Sequence, residues 1–229
     1  MLPVDGAKAS GDDLGMLGSA DRLKRLILVR HGETAGGSSI RYYGVTDVPL
    51  SDRGREQVRE ARKHVGGDTY QAVWASTLAR SWQSALIVAP DHPIELESDF
   101  REIDFGRWEG LTVEEIAVAD PRLHEDWQAG KPGFEFPEGE SRSAFRTRIA
   151  RGLDRLCATG VESALIVVHK GVVRTLLELA TGFTLGAEQP VLGGVVHASR
   201  NPHGNWYTGR LGSDASCSEP PLGIPIDPP

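Results

Sequence analysis

The sequence predicts an α/β protein, a three-layer α/β/α domain around a largely parallel central sheet. Three observations predict it. Two short, continuously apolar runs, Leu26-Ile27-Leu28-Val29 and Ala164-Leu165-Ile166-Val167-Val168, read as strands buried on both faces, because a half-exposed strand would alternate apolar with polar residues. Extended and helical patterns alternate along the chain, as parallel βαβ units require. Both apolar runs also stop abruptly at basic or imidazole side chains, Arg30-His31-Gly32 and His169-Lys170-Gly171. In such sheets ligands bind outside the carboxyl ends of the strands.

The elements follow in order. Residues 1–22 form a leader of small and acidic residues, expected to be flexible because it has little apolar surface to offset the entropy of ordering. The first strand is Arg25 to Arg30. Gly36-Gly37-Ser38-Ser39 opens a loop that runs to Leu50. Ser51 is an N-cap for a helix from Arg53 to Val65, with Val58, Ala61 and Val65 at helical spacing and Gly66-Gly67 as its stop. A second strand spans Gln71 to Ala75, and a helix begins near Thr77 and ends before Pro90. Pro93 to Leu96 is a third extended piece. A short helix covers Val113 to Ala119 and stops at Asp120-Pro121. Gly130 to Gly139, rich in proline and glycine, reads as an irregular, lid-like loop. A long helix runs from Ser141 to Cys157 with Phe145, Ile149, Leu153 and Leu156 on one face. The fourth strand is Ala164 to Val168, followed by a helix from Val172 to Ala180. Val191 to Ala198 and Asn205 to Leu211 read as two strands joined by an Asn201-Pro202-His203-Gly204 turn. The domain therefore covers residues 23–212. The tail, 213–229, is Pro-rich and expected to be disordered.

The whole chain excludes several functions. Its 229 residues suffice for one sizeable core and are few for two full domains. A formal net charge of −7 argues for no nucleic acid and no anionic membrane among its partners. No apolar stretch approaches membrane-spanning length. The two cysteines, Cys157 and Cys217, suggest no disulfide framework, and the cytoplasm is the expected location. The seven histidines lie scattered, with no metal-ligand spacing, so no catalytic metal and no cofactor are expected.

Four segments carry chemistry, and together they resemble the histidine phosphatase superfamily, the phosphoglycerate-mutase-like proteins. Arg30-His31-Gly32-Glu33-Thr34 is similar to the family signature. Ala75-Ser76-Thr77-Leu78-Ala79-Arg80-Ser81-Trp82-Gln83 is similar to its second block. Glu102-Ile103-Asp104-Phe105-Gly106-Arg107-Trp108-Glu109-Gly110 is similar to its Glu-x-x-x-Gly-x-Trp-Glu-Gly block, and His169-Lys170-Gly171 stands where His-Gly is usual. The resemblance covers Leu23 to Leu211, with the blocks in the expected order. It implies a phosphoglycerate-mutase-like fold and a small phosphorylated substrate.

The resemblance also assigns roles. His31 is the candidate nucleophile, forming a phosphohistidine that water hydrolyses. Glu102 is the candidate general acid and base, with Asp104 as its rival. Arg30 and Arg80 would clamp phosphoryl oxygens, since a planar guanidinium holds two at once; taken alone, Arg80 reads as a solvated helix arginine. His169 would donate a hydrogen bond to the phosphoryl group, aided by positive charge when protonated. Glu109 reads as structural, and Lys170 is either a displaced surface charge, the favoured reading, or a residue that reaches the substrate. Gly37 stands where many relatives carry a phosphate-contacting asparagine, so a backbone N–H, Ser38 or Ser39 would take that place. Arg41, Tyr42 and Tyr43 either shape the substrate side or merely pack the loop. The loops at Ala35–Val48 and Ala129–Ser141 would read the leaving group. Ile103-Asp104-Phe105 after the acid resembles the phosphatase branch, which includes α-ribazole phosphatase and broad small-molecule phosphatases. Phosphomonoester hydrolysis is the expected activity. A phosphoglycerate-type mutase and a non-catalytic phospholigand-binding module are the alternatives.

Overall fold

A computed structural model describes residues 22–66, 70–186 and 189–209. Except for Arg22, the expected leader and tail lie outside these residues. One six-stranded sheet carries the chain: β1 (Arg25–Arg30), β2 (Ala72–Ser76), β3 (Ile94–Glu97), β4 (Ser163–Val168), β5 (Val195–Arg200) and β6 (Trp206–Gly209), in the order β3-β2-β4-β1-β5-β6. The first four strands run parallel, with Leu28 opposite Ile166 and Trp74 also opposite Ile166 on its other side. β5 and β6 close one edge antiparallel.

The continuous apolar runs are explained by two separate cores, one on each face. Alternate residues of β1 and β4 point opposite ways. Ile27, Val29, Leu165 and Val167 pack with Val58, Ala61 and Val65 of α1 (Asp52–Val65) and with Ala85 and Val88 of α2 (Ala79–Val88). Leu26, Leu28, Ile166 and Val168 pack on the other face, against Phe145, Ile149 and Leu156 and against Val172, Val173, Leu176 and Leu177. These residues belong to the two remaining long helices, which with the short pair α3 (Val113–Ala119) and α4 (Pro121–Gln128) are numbered α5 (Arg142–Ala158) and α6 (Lys170–Thr181).

Four segments differ from expectation. Asp120-Pro121 ends α3 as expected, but a further helix, α4, starts at once from Pro121. Proline is well tolerated at the first helical position, where its missing N–H would have had no partner, so Pro121 starts a helix there. Gly130 to Gly139 is not a free lid. Phe134 is buried against Trp108 and Ile116 in a third, aromatic cluster that also engages Tyr42, Phe105, Trp127 and Phe136. The segment is pinned to the turn at Gly106 through the N–H of Arg107 on the carbonyl of Pro137 and the N–H of Glu140 on that of Asp104. The strand expected from Val191 begins only at Val195, because Gly194 turns back to the carbonyl of Val191 and Gly193 takes a positive φ. Helix α6 begins at Lys170, two residues before the predicted start.

The junction after β1 is sealed by two glycines. A Cβ on Gly32 would lie 2.2 Å from the carbonyl oxygen of Gly54, and a Cβ on Gly54 would lie 2.0 Å from that of Glu33. Ser51 caps α1 by accepting from the N–H of Gly54 at 3.0 Å, which holds the helix start under the strand end. Replacing glycine by alanine inside a helix ordinarily stabilises by roughly 0.5–1 kcal/mol. At position 54 the clash is with backbone and cannot be relieved by a rotamer change. Gly54→Ala will therefore lower stability, by about 1–3 kcal/mol as overpacked sites do, measured as a reduced urea midpoint.

Candidate active site

The parallel strands deliver their ends to one edge. His31 follows β1, His169 follows β4, and Arg80 lies in the first turn of α2 after β2. The N–H of His31 bonds the carbonyl of Val168 at 2.9 Å, so the two strand ends are locked side by side. The rings of His31 and His169 meet edge-on with centroids 5.1 Å apart.

His31 is 5% exposed. Its Nδ1 lies 2.6 Å from the carbonyl oxygen of Gly32. A carbonyl only accepts, so Nδ1 carries the proton and Nε2 keeps the lone pair in the neutral ring. Burial, then the charges of Arg80 and Arg30, hold the ring well below the ordinary histidine range. The bond to Gly32 pulls the other way and is outweighed. Burial and the same two arginines, with His31 and Arg148, also push His169 well below that range. Burial thus favours the neutral form of the unliganded His169, so the positive charge that would aid its hydrogen bond is not favoured before a ligand binds.

The two arginines differ in their attachments. Arg80 is fully buried. Its Nη1 donates to the carbonyl of Thr46 at 2.8 Å, and its Nη2 donates to those of Tyr43 at 3.0 Å and Gly44 at 2.5 Å. Arg30 donates from Nη1 to the carbonyl of Pro190 at 2.9 Å. Four buried nitrogens here lack a hydrogen-bond partner: Nε of Arg30, Nε of Arg80, and both ring nitrogens of His169. Such atoms are costly unless something accepts from them.

Glu102 is 7% exposed. One carboxylate oxygen accepts from the N–H of Ile103 and the other from the N–H of Gly171, each at 3.0 Å. A Cβ on Gly171 would lie 2.5 Å from that carboxylate, so any larger residue there would push the carboxylate from this position. The rival, Asp104, accepts instead from the N–H of Gly106 at 2.8 Å and stiffens that turn. Glu109 accepts from the N–H groups of Gly44, Val45, Thr46 and Phe105 and from the hydroxyl of Thr46, a structural position.

These groups open into a cavity of about 590 Å³. Arg30, His31 and Glu102 line it, and the fully buried Arg80 and His169 stand behind that lining, the His169 ring against that of His31. Ser38 and Ser39 line it as well; the Ser38 hydroxyl accepts from the N–H of Thr34 and that of Ser39 donates to Glu33. Arg41, Tyr42 and Tyr43 both line the cavity and pack the loop. Arg41 pairs with Glu115, Tyr42 packs on Phe105 and Trp127, and Tyr43 donates to the carbonyl of Gly36. Lys170 is partly exposed and lines the cavity, a place from which it can face a substrate. The segment Ala129–Ser141 contributes nothing to the lining; Val113, Glu114, Val191 and Leu192 do instead. None of these four bears a motif, so only the fold brings them to the site. Among the described residues no group of three or more His, Cys, Asp or Glu side chains converges on a metal position, and no helix is long and apolar enough to cross a membrane.

Residues 26–193 match the model of the histidine phosphatase superfamily, branch 1. The chain belongs to that superfamily. It is 36% identical over 173 residues to a bifunctional protein of Mycobacterium tuberculosis, Rv2228c, covering 72% of this chain and 46% of the relative. The chain thus spans about half the length of that relative. It is 30% identical to the adenosylcobalamin/alpha-ribazole phosphatase of Escherichia coli, across 69% of this chain and 79% of that one. The crystal structure of a putative alpha-ribazole-5'-P phosphatase from Escherichia coli superposes with a TM-score of 0.70 at 27% identity, covering 86% of this chain and all of the other. The fold is the phosphoglycerate-mutase-like α/β fold of these neighbours.

The buried histidines whose proton affinity is lowered, His31 and His169 above all and His197 to a lesser extent, make stability depend on pH. Between the ordinary histidine value of about 6.5 and their depressed folded values, the unfolded chain binds protons that the folded chain refuses. Stability is therefore full above about pH 6.5 and declines below it, by up to about 1.4 kcal/mol per pH unit for each such histidine. Urea midpoints measured from pH 7.5 to 5.5 will fall. The slope will flatten in His31→Asn/His169→Asn.

Proposed function

We propose that this protein is a metal-independent phosphomonoester hydrolase working through a phosphohistidine at His31 on a small phosphorylated metabolite. Family membership and the relatives named as phosphatases support phosphatase activity. The observation that carries the finer reading is His31 itself. It is neutral, with Nδ1 held by Gly32 and Nε2 left as the nucleophilic atom, beside four unpartnered buried nitrogens.

In this mechanism Nε2 attacks phosphorus. The N–P bond forms, the P–O bond to the leaving group breaks, and Glu102 gives a proton to the departing oxygen. Water then attacks phosphorus and returns a proton to Glu102, and the N–P bond breaks to release phosphate. Arg30 and Arg80 would neutralise the charge spread over the phosphoryl oxygens. His169, neutral before binding, can donate from one ring nitrogen. A phosphate dianion beside it would also raise its affinity for a proton. A cavity of about 590 Å³ leaves room beyond a phosphoryl group for an organic leaving group of modest size.

The test is phosphate release from phenyl phosphate in the presence of EDTA. Wild type will turn over, His31→Ala will not, and Glu102→Gln will lose on the order of 10²- to 10⁴-fold. Activity retained in His31→Ala, or lost on chelation, would sink the mechanism. Turnover of a phosphoglycerate isomer without phosphate release would favour the mutase.

A further inference from the structure

Helix α5 presents three arginines, Arg148, Arg151 and Arg155, spaced three and four residues apart and so on one face. All three grip one short segment, Glu97 to Glu102. Arg155 pairs with Glu97 at 2.7 Å and 2.9 Å and also meets Asp99. Arg151 pairs with Asp99 at 2.9 Å and 3.2 Å. These two act through side chains upstream of Glu102.

Arg148 acts differently. Its Nη1 donates to the backbone carbonyls of Asp99 at 2.7 Å and Arg101 at 2.6 Å, and its Nη2 donates to the carbonyl of Glu102 at 2.9 Å. Its Nε and Nη2 also form a two-pronged pair with Glu140, both bonds 2.7 Å long. A guanidinium has five N–H donors, and all five are engaged. The group also lies over the Phe145 ring, 4.7 Å from its centroid. The Arg148 side chain is 12% exposed and its partner Glu140 18%, so water screens the pair weakly. Neither residue lines the cavity.

We propose that Arg148 is a positioning residue that sets the Glu102 carboxyl at the reaction centre by holding the main chain of Arg101 and Glu102. This rests on reading Glu102 as the proton donor. The carboxyl group is suspended between two backbone N–H groups, one from its own strand of chain at Ile103 and one from α6 at Gly171. Its place is therefore set by how the main chain around residue 102 lies against α6. Helix α5 packs beside α6, and Arg148 is the α5 side chain that bonds the main chain on both sides of the residue 101–102 peptide. Removing it takes the side-chain donor from three backbone carbonyls of this segment, two of them partly buried. Displacements of about 1 Å at a reacting group cost on the order of 10²-fold in rate.

The experiment compares kcat/KM for phenyl phosphate and p-nitrophenyl phosphate. Phenolate, with a conjugate acid near that of tyrosine at about pKa 10, needs a proton to leave; nitrophenolate leaves without one. The variants are Glu102→Gln, Arg148→Gln, Arg148→Lys, Arg155→Gln and the double Glu102→Gln/Arg148→Gln. The phenyl-to-nitrophenyl ratio is expected to fall about tenfold or more in Glu102→Gln and in Arg148→Gln, in line with loss of general acid catalysis. It should lie between wild type and Arg148→Gln in Arg148→Lys, stay at wild type in Arg155→Gln, and drop no further in the double variant. A merely structural arginine would lower both substrates together, or multiply its loss onto that of Glu102→Gln, and either result overturns the proposal. Should Arg148→Gln fail to fold, a wild-type ratio in Arg148→Lys overturns it equally. An unchanged ratio in Glu102→Gln alone would strike at the assignment of Glu102, whereas a fall there with none in Arg148→Gln would strike at Arg148 only.

Discussion

A guanidinium with no exposure to solvent sits at the head of α2, and the arrangement around His31 depends on it. Burying a cation without a contacting carboxylate is expensive. Arg80 instead bonds three backbone carbonyls of the loop at Tyr43, Gly44 and Thr46. The same loop turns its N–H groups to the Glu109 carboxylate. A few peptide units thus stand between a buried cation and an anion, with carbonyls toward one and N–H groups toward the other. Gly44 is obligatory there, since a Cβ would come within 1.9 Å of the carbonyl oxygen of Ile103. The charge of Arg80 is the largest neighbouring charge acting on both His31 and His169. The cation that would bind an oxyanion is therefore also one that lowers the proton affinity of His31, the proposed nucleophile.

Much of this was legible in the sequence, for physical reasons that vary by residue. β1 and β4 announce themselves because both faces are buried, leaving no room for polar residues in the run. Arg30, His31 and Glu102 reach one cavity because motif residues at strand ends converge in a parallel sheet. What escaped was decided by partners distant in sequence. Arg148 in an amphipathic helix looks like any solvated arginine until Glu140 and the carbonyls near Glu102 arrive around it. The neutrality of His169 follows from burial beside two arginines, which no local pattern displays. Phe134 and Phe136, set among glycines and prolines, looked like loop residues, yet they complete a cluster with Trp108. Pro121 fits a helix start as well as a helix end, and only the fold distinguishes them.

The two faces of the sheet divide the work. Helices α1 and α2 bring the Ser51 cap and Arg80 to one side. Helices α5 and α6 bring the arginine ladder and the Gly171 N–H to the other, where Glu102 hangs. His31, the proposed nucleophile, lies between them, at the end of a central strand.

The outer wall of the cavity has another origin. Ile40 to Tyr43, Val113-Glu114 and Val191-Leu192 come from three connections that contribute no strand to the sheet. Two of these side chains, Ile40 and Val191, stand more than half exposed and belong to no core cluster. Such positions tolerate substitution with little effect on stability, while the reacting groups are anchored elsewhere. Selection for a new leaving group could therefore remodel the wall and leave the proposed phosphoryl-handling residues in place, so that under the proposed function a single scaffold would be diversified among many esters without relearning the reaction.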